Sequence, residues 1–194
     1  MNGAVRLPLL KLDIALSRMR TADALLYRHG RDPIDIAIAH TGRGEWCHAA
    51  MYEQGKDGPH VCDVSFSGGG RRSLFDDVRK YPGVIEWFEA NPDDRWPHFD
   101  RERAIARMRE FEGCTYGWWS IFRIALRHLP WINLFLPIPP DDDYAKYPPV
   151  CSEAVSISYR AGGVDPIPYL ADRLSEPDDL AHSLFLNSKA LLIP

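Results

Sequence analysis

The sequence predicts a single α+β domain in which an antiparallel sheet packs against helices and one cysteine stands at a helix N-terminus. Three observations predict it. Short apolar runs bounded by Gly, Pro and polar turn residues read as strands. Other segments carry apolar residues at three- and four-residue steps and read as amphipathic helices. A chain of 194 residues, 45% of them hydrophobic, suffices for one sizeable core rather than two.

The elements follow in order. Residues 8–20 place Leu9, Leu12, Leu16 and Met19 on one face, so residues 1–20 are expected to form a helical brace against the domain. Ala24-Leu25-Leu26-Tyr27 is an apolar run ended by His29-Gly30 and reads as a first strand. Asp32-Pro33 combines a capping residue with a first-turn proline, predicting a helix over 34–40 that ends at Gly42. Residues 47–52 and 60–66 read as two strands joined by the polar turn Gln54 to Pro59, a β-hairpin.

Gly68, Gly69 and Gly70 are expected to break the chain before a short helix over 73–80 that starts on a Ser cap. Residues 84–88 read as another strand. Residues 100–111 alternate Arg with Glu and keep Ala104, Ile105, Met108 and Phe111 on one face, so this helix is expected to turn its charges to solvent. Pro148-Pro149 forces an extended approach to Val150, after which a helix runs from Cys151 to about Arg160 and stops at Gly162-Gly163.

Composition excludes several classes of partner. The formal net charge is -4, with both signs interspersed, so no basic stripe exists to follow a phosphate backbone and nucleic acid is not expected as a partner. The apolar cluster Leu7-Pro8-Leu9-Leu10 is too short for a signal-peptide core. The most apolar stretch, 118–140, is interrupted by Arg123, Arg127, His128 and four prolines, which a membrane span tolerates poorly. A cytoplasmic location is the expectation. Four cysteines are too sparse for a disulfide scaffold. A zinc site drawn from Cys47, His48, His60 and Cys62 lacks any CxxC or HxxxH pair, so no metal and no cofactor are expected.

Cys151 carries the chemistry in this reading. A cysteine just inside a helix N-terminus lies in the field of unpaired N–H groups and the helix dipole, both of which favour thiolate. The same N–H groups can face a developing oxyanion. Cys47 and Cys62 lie mid-strand and Cys114 follows a Gly near a helix end, so these three are assigned to packing.

The base is His48, at the start of the apolar run Ala49-Ala50-Met51-Tyr52, with strand alternation expected to turn Cys47 and His48 to opposite faces. The third member comes from the next strand, which offers His60 and Asp63 on opposite faces. Asp63 is preferred because a carboxylate interrupting an apolar alternation is a costly placement that a paired role explains.

These residues resemble the permuted branch of the NlpC/P60 superfamily, the YiiX-like and YaeF-like papain-type amidases related to lecithin retinol acyltransferase. Residues 41–52, ending Cys-His-Ala-Ala-Met-Tyr, resemble the strand that bears the family's histidine. Residues 150–155, Val-Cys-Ser-Glu-Ala-Val, resemble its nucleophile helix. Weaker echoes are Asp23-Ala24-Leu25-Leu26-Tyr27, Gly113-Cys114-Thr115-Tyr116 and Glu176-Pro177-Asp178-Asp179-Leu180-Ala181. Histidine before cysteine is the permuted order, so the resemblance implies a circularly permuted papain-like (NlpC/P60) fold.

It also implies a Cys151–His48–Asp63 triad and a thiol hydrolase of amidase or peptidase type. Such an enzyme would cut a peptide or peptide-like amide, a cell-wall peptide among them, through a thioacyl intermediate. Two other readings stand beside it. One is an acyltransferase or lipid esterase, for which the aromatic and proline-rich insertion at 118–147 would supply an apolar lip toward lipid or membrane through Trp118, Trp119, Trp131, Phe135 and Leu136. The same residues can instead cover the sheet. The other is a catalytically silent binding protein that keeps the fold.

Overall fold

The computed structural model describes residues 7–28, 44–118 and 147–194. The expected helix over 34–40 and nearly all of the aromatic and proline-rich insertion lie outside them. Among the described residues the chain is mixed α+β, with seven strands and five α-helices. The strands are β1 (Leu9–Lys11), β2 (Ala24–Arg28), β3 (Trp46–Gly55), β4 (Gly58–Ser65), β5 (Gly68–Ser73), β6 (Val84–Ala90) and β7 (Leu186–Ile193). The helices are α1 (Leu12–Leu16), α2 (Leu74–Lys80), α3 (Arg101–Arg109), α4 (Cys151–Ala161) and α5 (Pro177–Ala181).

All seven strands join one sheet in the order β1-β7-β6-β2-β3-β4-β5. Every pairing is antiparallel except that of β1 with β7, which is parallel. The run Ala24-Leu25-Leu26-Tyr27 is apolar at consecutive positions because β2 is central and covered on both faces. On one face Leu26, Met51, Val64 and Phe88 pack with Ile105 and Met108 of α3 and Ala154 and Val155 of α4. On the other Leu25, Tyr52, Val61 and Trp87 pack with Leu12 and Ala15 of α1 and Leu74 and Val78 of α2.

Several expectations are corrected. The N-terminal brace is not one helix: among its described residues Leu9–Lys11 is an edge strand, and only Leu12–Leu16 is helical. Pairing with β7 satisfies backbone groups that a helix would otherwise have paired internally, and Leu9 stays exposed. The three glycines do not break the chain but form β5, hydrogen-bonded to β4. They are needed because the turn after α3 packs onto that strand: a Cβ on Gly69 would lie 1.9 Å from the Phe111 carbonyl oxygen. Strand β7 carries the apolar run Ala190-Leu191-Leu192-Ile193, but without a period-2 alternation along its length to mark it.

Helix α3 departs most from its expected role. Arg101 Nη1 lies 2.8 Å from Asp23 Oδ1, and Arg109 pairs with Glu53, both carboxylates being buried. Two of its arginines therefore satisfy buried charges on the sheet instead of lying on a solvated face.

Candidate active site

The sheet opens where the site lies. The β3–β4 ladder runs from Gly55↔Gly58 to Met51↔Cys62 and stops there. Beyond that pair β3 continues against β2 and β4 continues against β5. His48 and Asp63 stand on the two diverging strands, and His48 Nε2 donates to Asp63 Oδ2 at 2.5 Å.

A bulge aims the histidine. The β2–β3 pairing passes from Tyr27↔His48 to Arg28↔Trp46, leaving Cys47 as the extra residue. Strict alternation is thereby lost, and Cys47 and His48 line the same cavity instead of facing opposite sides as expected. Cys47 donates through its thiol to the Tyr27 carbonyl at 3.3 Å and stays buried, in line with a packing role.

Cys151 is the first residue of α4, buried at the helix N-terminus. Val150 is the N-cap and its side chain has no acceptor, while Glu153 Oε2 reaches back to accept from the Val150 N–H at 3.1 Å. Below this turn lies a buried pair: Glu153 and Arg173 are both fully buried, 3.8 Å apart, and Arg173 Nη1 donates to the Tyr147 carbonyl at 2.6 Å. Ser152 Oγ donates to the Ser175 carbonyl at 2.7 Å. The first turn of α4 is thus tied to the chain before and after it.

Cys151 lies near enough to His48 to act on the ionisation of its ring. With Nε2 given to Asp63, Nδ1 is the ring nitrogen left for the sulfur. Burial alone would push the His48 pKa down, but the negative charge of Cys151 and the hydrogen bond to Asp63 overcome it and raise it to about 10. Burial would likewise raise Asp63; the hydrogen bond and charge of His48 and the Arg72 guanidinium outweigh it and hold that carboxyl below its ordinary range.

His60, the alternative third member, is not at the site. Its ring bonds to the Gly58 carbonyl at 2.7 Å and lies 3.4 Å from Asp57. Cys62 donates to Glu53 at 3.1 Å, and its thiol pKa is pushed up to about 12, chiefly by burial. Burial also raises Cys114.

Sequence reasoning missed the residues behind Asp63. Arg72 Nη1 donates to Asp63 Oδ1 at 2.6 Å, and Arg72 is held in turn by Asp77. A buried Asp on an apolar strand signals that a cation must approach, but nothing in the sequence marks which of 23 Lys and Arg it is. The cavity beside His48 has a volume of about 140 Å³ and is bounded by the rings of Tyr27, Tyr81, Phe66 and Tyr116. At its edge Trp118 stacks on Phe66 with centroids 5.2 Å apart, and both rings are partly exposed.

No family model matches the chain, and no curated protein matches it. Among solved structures, the crystal structure of metalloprotein YiiX from Escherichia coli O157:H7 is similar to it, with a TM-score of 0.61 and 11% sequence identity over 90% of this chain and 98% of that one. At that identity the similarity is one of fold. No helix among the described residues is long and apolar enough to cross a membrane.

Proposed function

We propose that this chain is a thiol hydrolase of circularly permuted papain-like fold, with Cys151 as nucleophile, His48 as general base and acid, and Asp63 as the residue that orients His48. One observation carries the reading: a single imidazole is hydrogen-bonded to a buried carboxylate, and a cysteine at a helix N-terminus lies near enough to act on its ionisation. Those are the three roles an activated thiol requires. The similarity to YiiX agrees with this fold, and histidine before cysteine is the order a permuted chain would have.

In the reaction the Cys151 thiolate attacks an amide or ester carbonyl, and the oxyanion that forms faces the N-terminus of α4, where the Cys151 N–H is the first donor on offer. Such a donor contributes about 3 kcal/mol to the transition state. His48 passes its proton to the leaving amine or alcohol, the thioacyl intermediate remains on Cys151, and His48 then draws a proton from the incoming water. Asp63 keeps the ring in register and stabilises its charge throughout. The substrate class proposed is a peptide or peptide-like amide.

YiiX is a metalloprotein, but the residues of this chain's site do not fit a metal. Asp63 gives one oxygen to His48 and the other to the Arg72 guanidinium, a neighbour that opposes a bound cation. Among the described residues no group of three or more His, Cys, Asp or Glu side chains could hold a metal.

The exposed Phe66–Trp118 stack beside the cavity favours a second reading, acyl transfer or ester hydrolysis on a lipid-like substrate. Iodoacetamide labelling at neutral pH, mapped by peptide mass, is expected to modify Cys151 and spare Cys62. Cys151→Ala should remove turnover by at least about 10³-fold on amide and ester substrates alike while the far-UV spectrum stays unchanged. Equal labelling of Cys151 and Cys62 would leave the silent binding protein as the better reading. Faster turnover of long-chain esters than of peptide amides would favour the acyl reading.

A further inference from the structure

Asp63 is held from two sides. Its Oδ2 accepts from His48 Nε2 at 2.5 Å and its Oδ1 from Arg72 Nη1 at 2.6 Å. Arg72 is fixed beyond that contact, its Nε donating to Asp77 Oδ1 at 2.7 Å and its Nη2 to Asp77 Oδ2 at 3.2 Å. Tyr27 donates its hydroxyl to the same Asp77 oxygen and sets its ring edge against the His48 imidazole, the centroids 5.0 Å apart. The contacts close a circuit through His48, Asp63, Arg72, Asp77 and Tyr27, drawn from β3, β4, β5, α2 and β2.

We propose that Arg72, clamped by Asp77, is a positioning residue that holds Asp63 ionised and in register for His48. The proposal rests on the reading of Cys151 and His48 as nucleophile and base. Three physical points carry it. Asp63 is only 3% exposed, so without a second partner it could turn away from the imidazole or take up a proton. The guanidinium fork presents Nη1 to Asp63 while Nε and Nη2 grip Asp77 side by side, a division of labour that a lysine ammonium cannot reproduce. Asp77 also offsets the Arg72 charge, which would otherwise stand uncompensated beside an imidazolium.

The charged and titratable groups about Asp63 are His48 on β3, Arg72 on β5, Tyr27 on β2, Asp77 on α2 and Cys62 on its own strand, with Cys151 acting through His48. Of these His48 and Arg72 hold the Asp63 carboxyl below its ordinary range. A carboxylate so depressed supports His48 at neutral pH and loses that support as pH falls through its folded value. Removing Arg72 brings that loss to a higher pH.

The test is the rate of Cys151 alkylation by iodoacetamide from pH 4 to pH 10 in the full chain, comparing the parent with Arg72→Met, Arg72→Lys, Asp77→Asn and His48→Ala. Arg72→Met should move the acid limb upward by about one pH unit, a tenfold loss of rate on that limb. Arg72→Lys and Asp77→Asn should fall between it and the parent. Superimposable limbs in the parent, Arg72→Met and Asp77→Asn overturn the proposal. Should Arg72→Met fail to fold by far-UV circular dichroism, Arg72→Lys and Asp77→Asn decide, and parent-like limbs in both overturn it. If His48→Ala leaves the whole profile unchanged, the hydrolase reading itself fails; if it changes the profile while the Arg72 and Asp77 variants do not, only the positioning role fails.

Discussion

Asp23 and Asp63 are two buried carboxylates, each facing an arginine, and their pKa values move in opposite directions. Asp23 accepts four hydrogen bonds, from the N–H groups of Arg20 and Ala90, from Trp87 Nε1 and from Arg101 Nη1. Its pKa is nevertheless raised, because desolvation exceeds what one guanidinium and three neutral donors return. Asp63 accepts from the side chains of His48 and Arg72, and its pKa is lowered. The number of hydrogen bonds does not decide the charge of a buried carboxyl; the number of cations among the donors does. The Asp23 arrangement joins β2, β6 and α3, whereas the Asp63 arrangement maintains a charge beside a histidine.

The largest expected effect would break this comparison if it failed. Asp63→Asn should reduce turnover by about 10²- to 10⁴-fold, since an amide neither stabilises an imidazolium nor holds its tautomer, and steady-state kinetics on an amide or ester substrate would measure it. Asp23→Asn should leave turnover within about threefold but strand Arg101 against a neutral partner. A loss on the order of 2 to 3 kcal/mol in unfolding free energy is expected from urea titration. Similar kinetic losses in the two variants would show that both carboxylates serve the site.

A pH experiment sharpens the contrast. The His48 pKa is raised from 6.5 to about 10, so its stabilising contribution is fully present below about pH 6.5 and is lost as pH rises through about 10. The difference in unfolding free energy between the parent and His48→Gln, from urea titration, should therefore shrink between those limits, by on the order of a few kcal/mol at most. Asp23 runs the same way over a lower pH range: with its pKa raised, the folded chain binds that proton more tightly, and the contribution declines as pH climbs above 3.8. The smallest expected effect belongs to His60→Ala, with turnover within about twofold of the parent, because His60 bonds to Gly58, Asp57 and Arg71 and not to His48.

Cys151, His48 and Asp63 were legible because each breaks a local rule. A cysteine opens a helix, and a histidine and an aspartate interrupt apolar strands; such placements are costly unless something distant compensates them. Asp63 over His60 followed from the same argument, and the hydrogen-bond partners of the two residues agree with it. The β2 strand, the hairpin and helices α2, α3 and α4 were legible from periodicity and capping. Strand β1 was not, because Leu9, Leu12, Leu16 and Met19 suit a helix until an edge of the sheet offers Leu9–Lys11 a partner. The glycine strand β5 was not, because its pairing is backbone alone and its side chains carry no pattern.

The sequence by itself determined the mixed α+β class, the histidine-before-cysteine order and the three residues on which the chemistry is proposed to rest. Local propensity and the cost of burying polar groups are written in the chain residue by residue. Only the tertiary structure decided the bulge at Cys47, the opening of the sheet after Met51↔Cys62 and the choice of Arg72 and Asp77 as the backing of Asp63. Those depend on which strands lie side by side, and strand neighbours are chosen by contacts between residues far apart in sequence.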